Sequence, residues 1–232
     1  MAEVRPGETA ARPLPIRDAA TVILVRDGAE DPKVLMGMRG ATAAFMPKKF
    51  VFPGGALDPG DWEIPLARPL PAETAARLAE HAPPGIGPAL AVAAVRELWE
   101  EAGLMLGRRG EWTGPVAEDW TGFAATGHLP DAGALRFIFR AVTPAGRPRR
   151  FDARFFMAEA EALASDPDDF ARACDELSLL QWIPLREVRG FDLPFVTELA
   201  LAELSRLLAE GQPEGVPFFD NTGPRSVFRR IV

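Results

Sequence analysis

Three glutamates carry the strongest chemical signal in the chain. In Arg96-Glu97-Leu98-Trp99-Glu100-Glu101-Ala102-Gly103-Leu104, the acids Glu97, Glu100 and Glu101 stand at i, i+3 and i+4. On a helix that spacing puts their carboxylates on one face. Like charges so placed repel by roughly 0.2–0.5 kcal/mol per pair unless a cation sits among the oxygens. Clustered carboxylates are hard oxygen donors, and they suit Mg²⁺, Mn²⁺ or Ca²⁺. The expectation is a helix that holds Mg²⁺ against a phosphorylated substrate. On these three residues alone a solvated acidic helix face is the simpler reading.

The elements that would position these groups can be read around them. Gly87-Pro88 resembles a helix start with proline at the first helical position. From there Ala91, Ala94, Val95, Leu98 and Ala102 form an apolar stripe, and Gly103 is placed as a C-cap. Upstream, Ala19 to Arg26, Lys33 to Arg39 and Phe50 to Phe52 read as strands, the first two antiparallel. The third runs into Pro53-Gly54-Gly55, where backbone can approach a ligand closely. Ala72 to His81 has helical composition, and Pro83-Pro84-Gly85 ends it.

Downstream, residues 107–130 read as loop with a helical turn near 116–124. Ala134 to Thr143 and Arg150 to Ala158 read as a hairpin. Asp166 to Cys174 reads as a short helix, Leu177 to Ile183 as a strand and Pro194 to Glu210 as a long amphipathic helix. The domain reading is an arm over 1–17, one domain over 18–210 and a Pro/Gly-rich tail over 211–232. Interspersed strands and helices imply an α/β (α+β) fold, one mixed sheet between helices.

Composition narrows the class. The chain has 232 residues, 47% hydrophobic and 25% charged, ordinary values for a globular domain with a packed core. Net charge is −7, which argues against a broad nucleic-acid surface or an anionic-membrane binder. Cys174 is the single cysteine, so no internal disulfide framework exists, and a reducing, cytoplasmic setting fits. No apolar run approaches the ~20 residues a spanning helix needs, and no signal-peptide pattern begins the chain. Cys174 reads as a small buried hydrophobe, Trp62 and Phe45 as core, and Arg147, Arg149 and Arg150 as a solvated loop.

The stretch Arg96 to Leu104 resembles the core of the Nudix box, an Arg-Glu pair followed by Glu-Glu and Gly with bulky apolar residues between. At residue frequencies of about 5–7% each, those five residues at those spacings arise by chance on the order of once in 10⁴ chains this long. Phe52-Pro53-Gly54-Gly55 resembles the loop that precedes that helix, and Glu176 stands at the spacing some members use for a further metal-binding or catalytic carboxylate. The usual box has 14 positions from its glycine to its arginine. Here Gly55 to Arg96 is 41, so 27 residues are inserted. Counting forward from Gly55 puts Asp61 where the box has its first glutamate and counting back from Arg96 puts Pro88 there, so either Asp61 substitutes or the role is lost.

A long insert with this approach is similar to the subgroup that includes peroxisomal coenzyme A diphosphatases. Arg39, 13 residues before Phe52, has the spacing of an arginine in the coenzyme A-hydrolysing pattern.

The resemblance implies a Nudix-type α/β/α sandwich that hydrolyses a nucleoside diphosphate linked to another moiety, using Mg²⁺ or Mn²⁺. Glu97, Glu100 and Glu101 would be metal ligands, with Glu97 alternatively orienting or deprotonating water. Gly54 and Glu176 would complete the metal shell. Arg96 would orient the glutamates, and Arg39 and Gly55 would meet the substrate. Coenzyme A or its acyl derivatives come first; NADH, ADP-ribose, a nucleoside triphosphate, or a fold that binds without turnover stay open. The partner implied is a small nucleotide or coenzyme, with no nucleic acid and no membrane; a homodimer stays open. The insert, about 56–88, is expected to fold beside the site and shape the leaving-group pocket.

Overall fold

The computed structural model describes residues 15–40, 46–211 and 214–232. Most of the arm, and Phe45, lie outside them. Its organising element is β1 (Ile16–Arg26), whose AATVILVR run alternates between two cores. Ala20, Val22 and Leu24 point into one core, and Ile23 and Val25 into the other. A strand with apolar residues on both faces belongs at the centre of a covered sheet.

Around it, in chain order, stand β2 (Lys33–Arg39), β3 (Phe50–Val51), β4 (Gly54–Ala56), α1 (Ala72–Ala79), α2 (Ile86–Ala102), β5 (Gly107–Arg109), α3 (Thr121–Ala124) and β6 (His128–Pro130). Then come β7 (Arg136–Val142), β8 (Arg150–Glu159), β9 (Leu177–Pro184), α4 (Phe195–Glu210), β10 (Val216–Asp220) and β11 (Val227–Ile231). The nine-stranded sheet runs β11-β10-β7-β8-β1-β2-β3, with β4 added on β1 and β9 on β2. It is mixed: β1/β8 and β7/β10 are parallel and the other pairs antiparallel. β5 and β6 form a separate ribbon. α2 packs against one face through Leu90, Ala94, Val95 and Leu98. α4 covers the other through Ala200, Leu201, Leu204 and Leu207. This is the expected α/β/α sandwich.

Several elements differ from the sequence reading. α2 begins at Ile86, one residue before the Gly87-Pro88 start, behind an N-cap at Gly85 (φ 76°). Pro88 still falls in the first turn, where a missing N–H costs nothing. Residues 166–174 form turns rather than a helix. The Asp166 and Asp169 carboxylates accept hydrogen bonds from the N–H groups of Asp168 and Ala171, offering the backbone an alternative to helical pairing.

The stretch read as a tail contributes β10 and β11 to the sheet, because Val216, Phe218 and Ile231 bury an alternating apolar face. Trp62 is 49% exposed and Cys174 is exposed, so neither belongs to the core. Arg147 flanks a surface cleft, and Arg150 is tied to the carbonyls of Thr143 and Asn221.

The insert lies on the α2 side of the sheet. Its Leu70 and Leu78 are buried with Ile86 and Leu90, and Gly87 sits against them. This cover explains why α2 is buried well beyond its stripe, Ala89, Val92 and Ala93 included.

Candidate functional site

Arg96 is the hub from which the acidic face of α2 is arranged. Its side chain is 7% exposed and every nitrogen of its guanidinium is engaged. Nε and Nη2 donate to the two Asp61 oxygens at 2.9 and 3.1 Å. Nη2 also donates to the Ala56 carbonyl at 3.0 Å. Nη1 donates to Glu97 Oε1 at 2.9 Å and to Glu100 Oε2 at 3.2 Å. The planar fork matches the bidentate geometry of a carboxylate, which Lys could not reproduce. Burial opposes the arginine's charge, but the Asp61 hydrogen bond and the Glu97, Asp61 and Glu100 charges hold its pKa above the ordinary value.

Asp61, six residues after Gly55 and inside the insert, thus pairs with Arg96 at the base of the acidic face. It sits on a 3-10 turn over Pro59–Trp62, 2% exposed, and its Oδ2 accepts the Asp58 N–H at 2.8 Å.

The opposite wall is the glycine loop. Gly54 N–H donates to Glu101 Oε2 at 2.8 Å. A Cβ on Gly54 would lie 2.5 Å from the Ala20 carbonyl, and one on Gly55 only 2.2 Å from Glu97 Oε1. Real Cβ atoms do not approach so closely; at Gly54 the obstacle is backbone and no side chain fits, whereas at Gly55 it is the Glu97 carboxylate, which would have to move. Gly55→Ala should displace the Glu97 carboxylate while leaving the sheet intact. We expect kcat to fall by about 10²-fold or more, with far-ultraviolet circular dichroism unchanged; wild-type kcat in that variant would show that the close approach is dispensable.

Glu101 is the most confined group. It is 2% exposed, and its Oε1 is buried without a hydrogen-bond partner. Arg39 Nη2 stands 3.6 Å from that oxygen and donates to Glu176 Oε1 at 3.0 Å. Burial, reinforced by the nearby Glu97 charge, pushes Glu101 up to about 8. Burial likewise raises Glu97 to about 7 against the pull of Arg96. Glu100, also raised by burial, is the outermost of the three, with 35% of its side chain exposed.

The segment before β9 packs through Arg172 and Ala173 against Gly103 (φ 71°), the C-cap of α2, and carries Glu176 toward this group. Cys174 N–H donates to the Glu100 carbonyl at 2.9 Å.

The structure thus brings together Arg39, Gly54, Gly55, Asp61, Arg96, Glu97, Glu101 and Glu176, with Glu100 at the rim. As they stand, no three His, Cys, Asp or Glu side chains among the described residues converge tightly enough to hold a metal ion. Arg96 takes up one oxygen of Glu97 and one of Glu100. The donor chemistry nonetheless fits a hard divalent cation, because the buried Glu101 Oε1 lacks a partner and burial makes its charge costly.

Beside this group a cleft of about 660 Å³ opens on the α4 face of the sheet, reaching from Gly54, Gly55 and Arg39 to Phe219. None of the residues 56–88 lines it. The insert shares the α2 side of the sheet with Glu101 and positions Arg96 through Asp61, but it does not wall the cleft. The segment before α4 and the loop after β7 do, and nothing in their composition marked them.

No family profile matches the chain. A crystal structure of a Nudix hydrolase from Alicyclobacillus acidocaldarius is 31% identical, covering 84% of this chain and 96% of that one with a TM-score of 0.60. The chain belongs to the Nudix hydrolase family.

Among curated relatives, putative nudix hydrolase 7 of Caenorhabditis elegans is 30% identical over 183 residues, 74% of this chain and 52% of its own. Acyl-coenzyme A diphosphatase NUDT19 of Gallus gallus is 26% identical over 230 residues, 72% of this chain and 60% of its own. The chain therefore spans only part of the curated relatives it matches. Among the described residues, no helix is long and apolar enough to cross a membrane.

Proposed function

We propose that the protein hydrolyses a diphosphate linkage in a nucleoside diphosphate-X substrate, with coenzyme A or an acyl-coenzyme A as the substrate class. The observation that carries this reading is the buried Glu97–Glu101 pair, pressed against Gly54-Gly55 and Arg39 where the cleft begins. The name of the Gallus gallus relative supports the substrate class.

Glu97, Glu100 and Glu101 would hold Mg²⁺ or Mn²⁺, with the Gly54 carbonyl and Glu176 completing the shell. The ion, when bound, neutralises the diphosphate and acidifies a water. The chain's own groups do the rest. Arg96, fixed by Asp61 and the Ala56 carbonyl, holds Glu97 and Glu100 in one orientation. Alternatively Glu97, held between Gly55 and Arg96, would orient the attacking water or take its proton. Arg39 offers a fork to the diphosphate oxygens, which would draw it from Glu176 and spread the charge that grows as the bond breaks.

A panel of coenzyme A, acyl-coenzyme A, NADH, ADP-ribose and nucleoside triphosphates, assayed with Mg²⁺ or Mn²⁺ by product mass spectrometry, tests this. Coenzyme A compounds are expected to be cleaved at the diphosphate, and ¹⁸O-water shows which phosphorus is attacked. Preferential cleavage of NADH or a triphosphate would overturn the substrate class. Ligand binding without products across the whole panel would overturn the enzyme.

A further inference from the structure

The cleft has a floor that no single segment of the sequence shows. Register aligns Phe219 with Ala141, Ala141 with Ala153, Ala153 with Ala19 and Ala19 with Ala56. The row crosses β10, β7, β8, β1 and β4 at right angles to the strands. With neighbours about 4.8 Å apart, it spans about 19 Å.

Four of its positions are alanines on adjacent strands, and three of them, Ala141, Ala153 and Ala19, line the cleft, so the sheet surface sinks there. Phe151 and Phe155, two residues either side of Ala153 on the same face, stand as walls. Leu193 and Phe195 close it from the start of α4, and Pro144 and Pro148 from the loop after β7.

The chemistry along the row is graded. One end opens beside Gly54, Gly55 and Arg39. At the other, Phe195 and Phe219 meet edge to face at 6.1 Å, and Phe219 and Phe228 stack at 4.8 Å. Phe195 is 62% and Phe228 60% exposed, so the aromatic trio is open to receive a group. No Asp, Glu, Asn or Gln side chain lines the cleft among the described residues. The bidentate amide and carboxylate partners of adenine and cytosine are therefore absent, the charged lining being Arg39, Lys49 and Arg147, whereas an extended chain of low polarity needs chiefly surface and walls.

We propose that this cleft seats the non-reacting arm of the substrate. A pantetheine-like chain lies over Ala19, Ala153 and Ala141, and the aromatic trio Phe195, Phe219 and Phe228 receives the acyl group at its end. The assignment rests on the diphosphatase reading for what sits beside Arg39, but it makes its own claim about a separate surface.

The probes are octanoyl-pantetheine and acetyl-pantetheine, which carry no diphosphate and cannot be turned over there. Each is titrated into the full chain by calorimetry. Octanoyl-pantetheine is expected to bind about tenfold or more tighter than the acetyl compound, from the extra methylenes covered. Ala153→Phe fills the groove and should weaken both by about tenfold or more. Phe195→Ser, at an exposed position that threatens the fold little, should cut the chain-length preference to about threefold or less, weakening octanoyl-pantetheine more than acetyl-pantetheine. It decides the matter if Ala153→Phe fails to fold.

No binding to the wild type, or length preference intact in Phe195→Ser, overturns the proposal. Acyl-pantetheine binding without cleavage of any coenzyme A compound would end the diphosphatase reading and keep the cleft assignment. Cleavage without such binding would do the reverse.

Discussion

Glu101→Gln is expected to abolish Mg²⁺-dependent turnover and, in the same protein, to stabilise the metal-free fold above neutral pH. The two effects have one cause. Glu101 is 2% exposed with Oε1 unpartnered, and burial pushes its pKa up to about 8. Because that value lies above the carboxyl's ordinary 4.5, the folded chain binds the proton more tightly than the unfolded chain.

The resulting stability is present below pH 4.5 and is lost as pH climbs toward 8. Glu97, raised to about 7, acts in the same direction. In EDTA the wild-type melting temperature should therefore fall between about pH 5 and 8.5, and Mg²⁺ should restore it. Gln removes the charge at one of these sites while keeping its shape. At pH 8.5 in EDTA we expect a gain on the order of 1–3 kcal/mol, a rise of about 2–12 °C.

Turnover should drop by about 10³-fold or more, because a neutral amide cannot hold the ion that neutralises the diphosphate. Differential scanning fluorimetry and the product assay read the two arms. Unchanged turnover would remove Glu101 from the machinery. A lower melting temperature than wild type at pH 8.5 in EDTA would show that its buried charge is already compensated.

What the chain reveals before folding depends on the distance over which the information is written. α2 is legible because its apolar stripe, its acidic face and its Gly103 cap lie within one stretch. The same holds for β2, whose bounds match the sequence reading, and for α4, whose apolar spacing is continuous.

The Asp61–Arg96 pair spans 35 residues, and counting from Gly55 suggested only a candidate. The pairing appears once the insert folds back over α2. The cleft floor was invisible, since Ala19, Ala141 and Ala153 become neighbours only through strand register. Pro and Gly obscured β10 and β11, where the deciding signal is the alternation of Val216 and Phe218. Near 166–174 helical composition lost to aspartates that hydrogen-bond their own turns. Misplacing Trp62 has a different origin: the 3-10 turn that buries Asp61 leaves the next side chain outside.

Asp61→Ala tests whether the insertion kept the box's internal logic. The Arg96 side chain is 7% exposed and donates two of its hydrogen bonds to Asp61. Without Asp61, Nε is left buried with no partner while Glu97 and Glu100 still offset the charge, a loss of about 1.5–3 kcal/mol. Arg96 would also be free to swing toward Glu97 and Glu100, so the carboxylates lose their fixed direction. The expected result is a melting temperature lower by roughly 3–12 °C, together with a kcat loss that metal excess does not repair.

A second variant separates the two consequences. Asp61→Ala combined with Arg96→Met removes both members of the pair, and an apolar side chain of similar length tolerates the buried site. Stability should recover by about 1–3 kcal/mol relative to Asp61→Ala, because replacing a buried pair costs less than breaking one. Activity should not recover, since nothing then orients Glu97 and Glu100. If the double variant regained turnover along with stability, Arg96 would be scaffolding alone. If Asp61→Ala were as stable and as active as wild type, the hub read from the Arg96 contacts would not be the group that orders the acidic face.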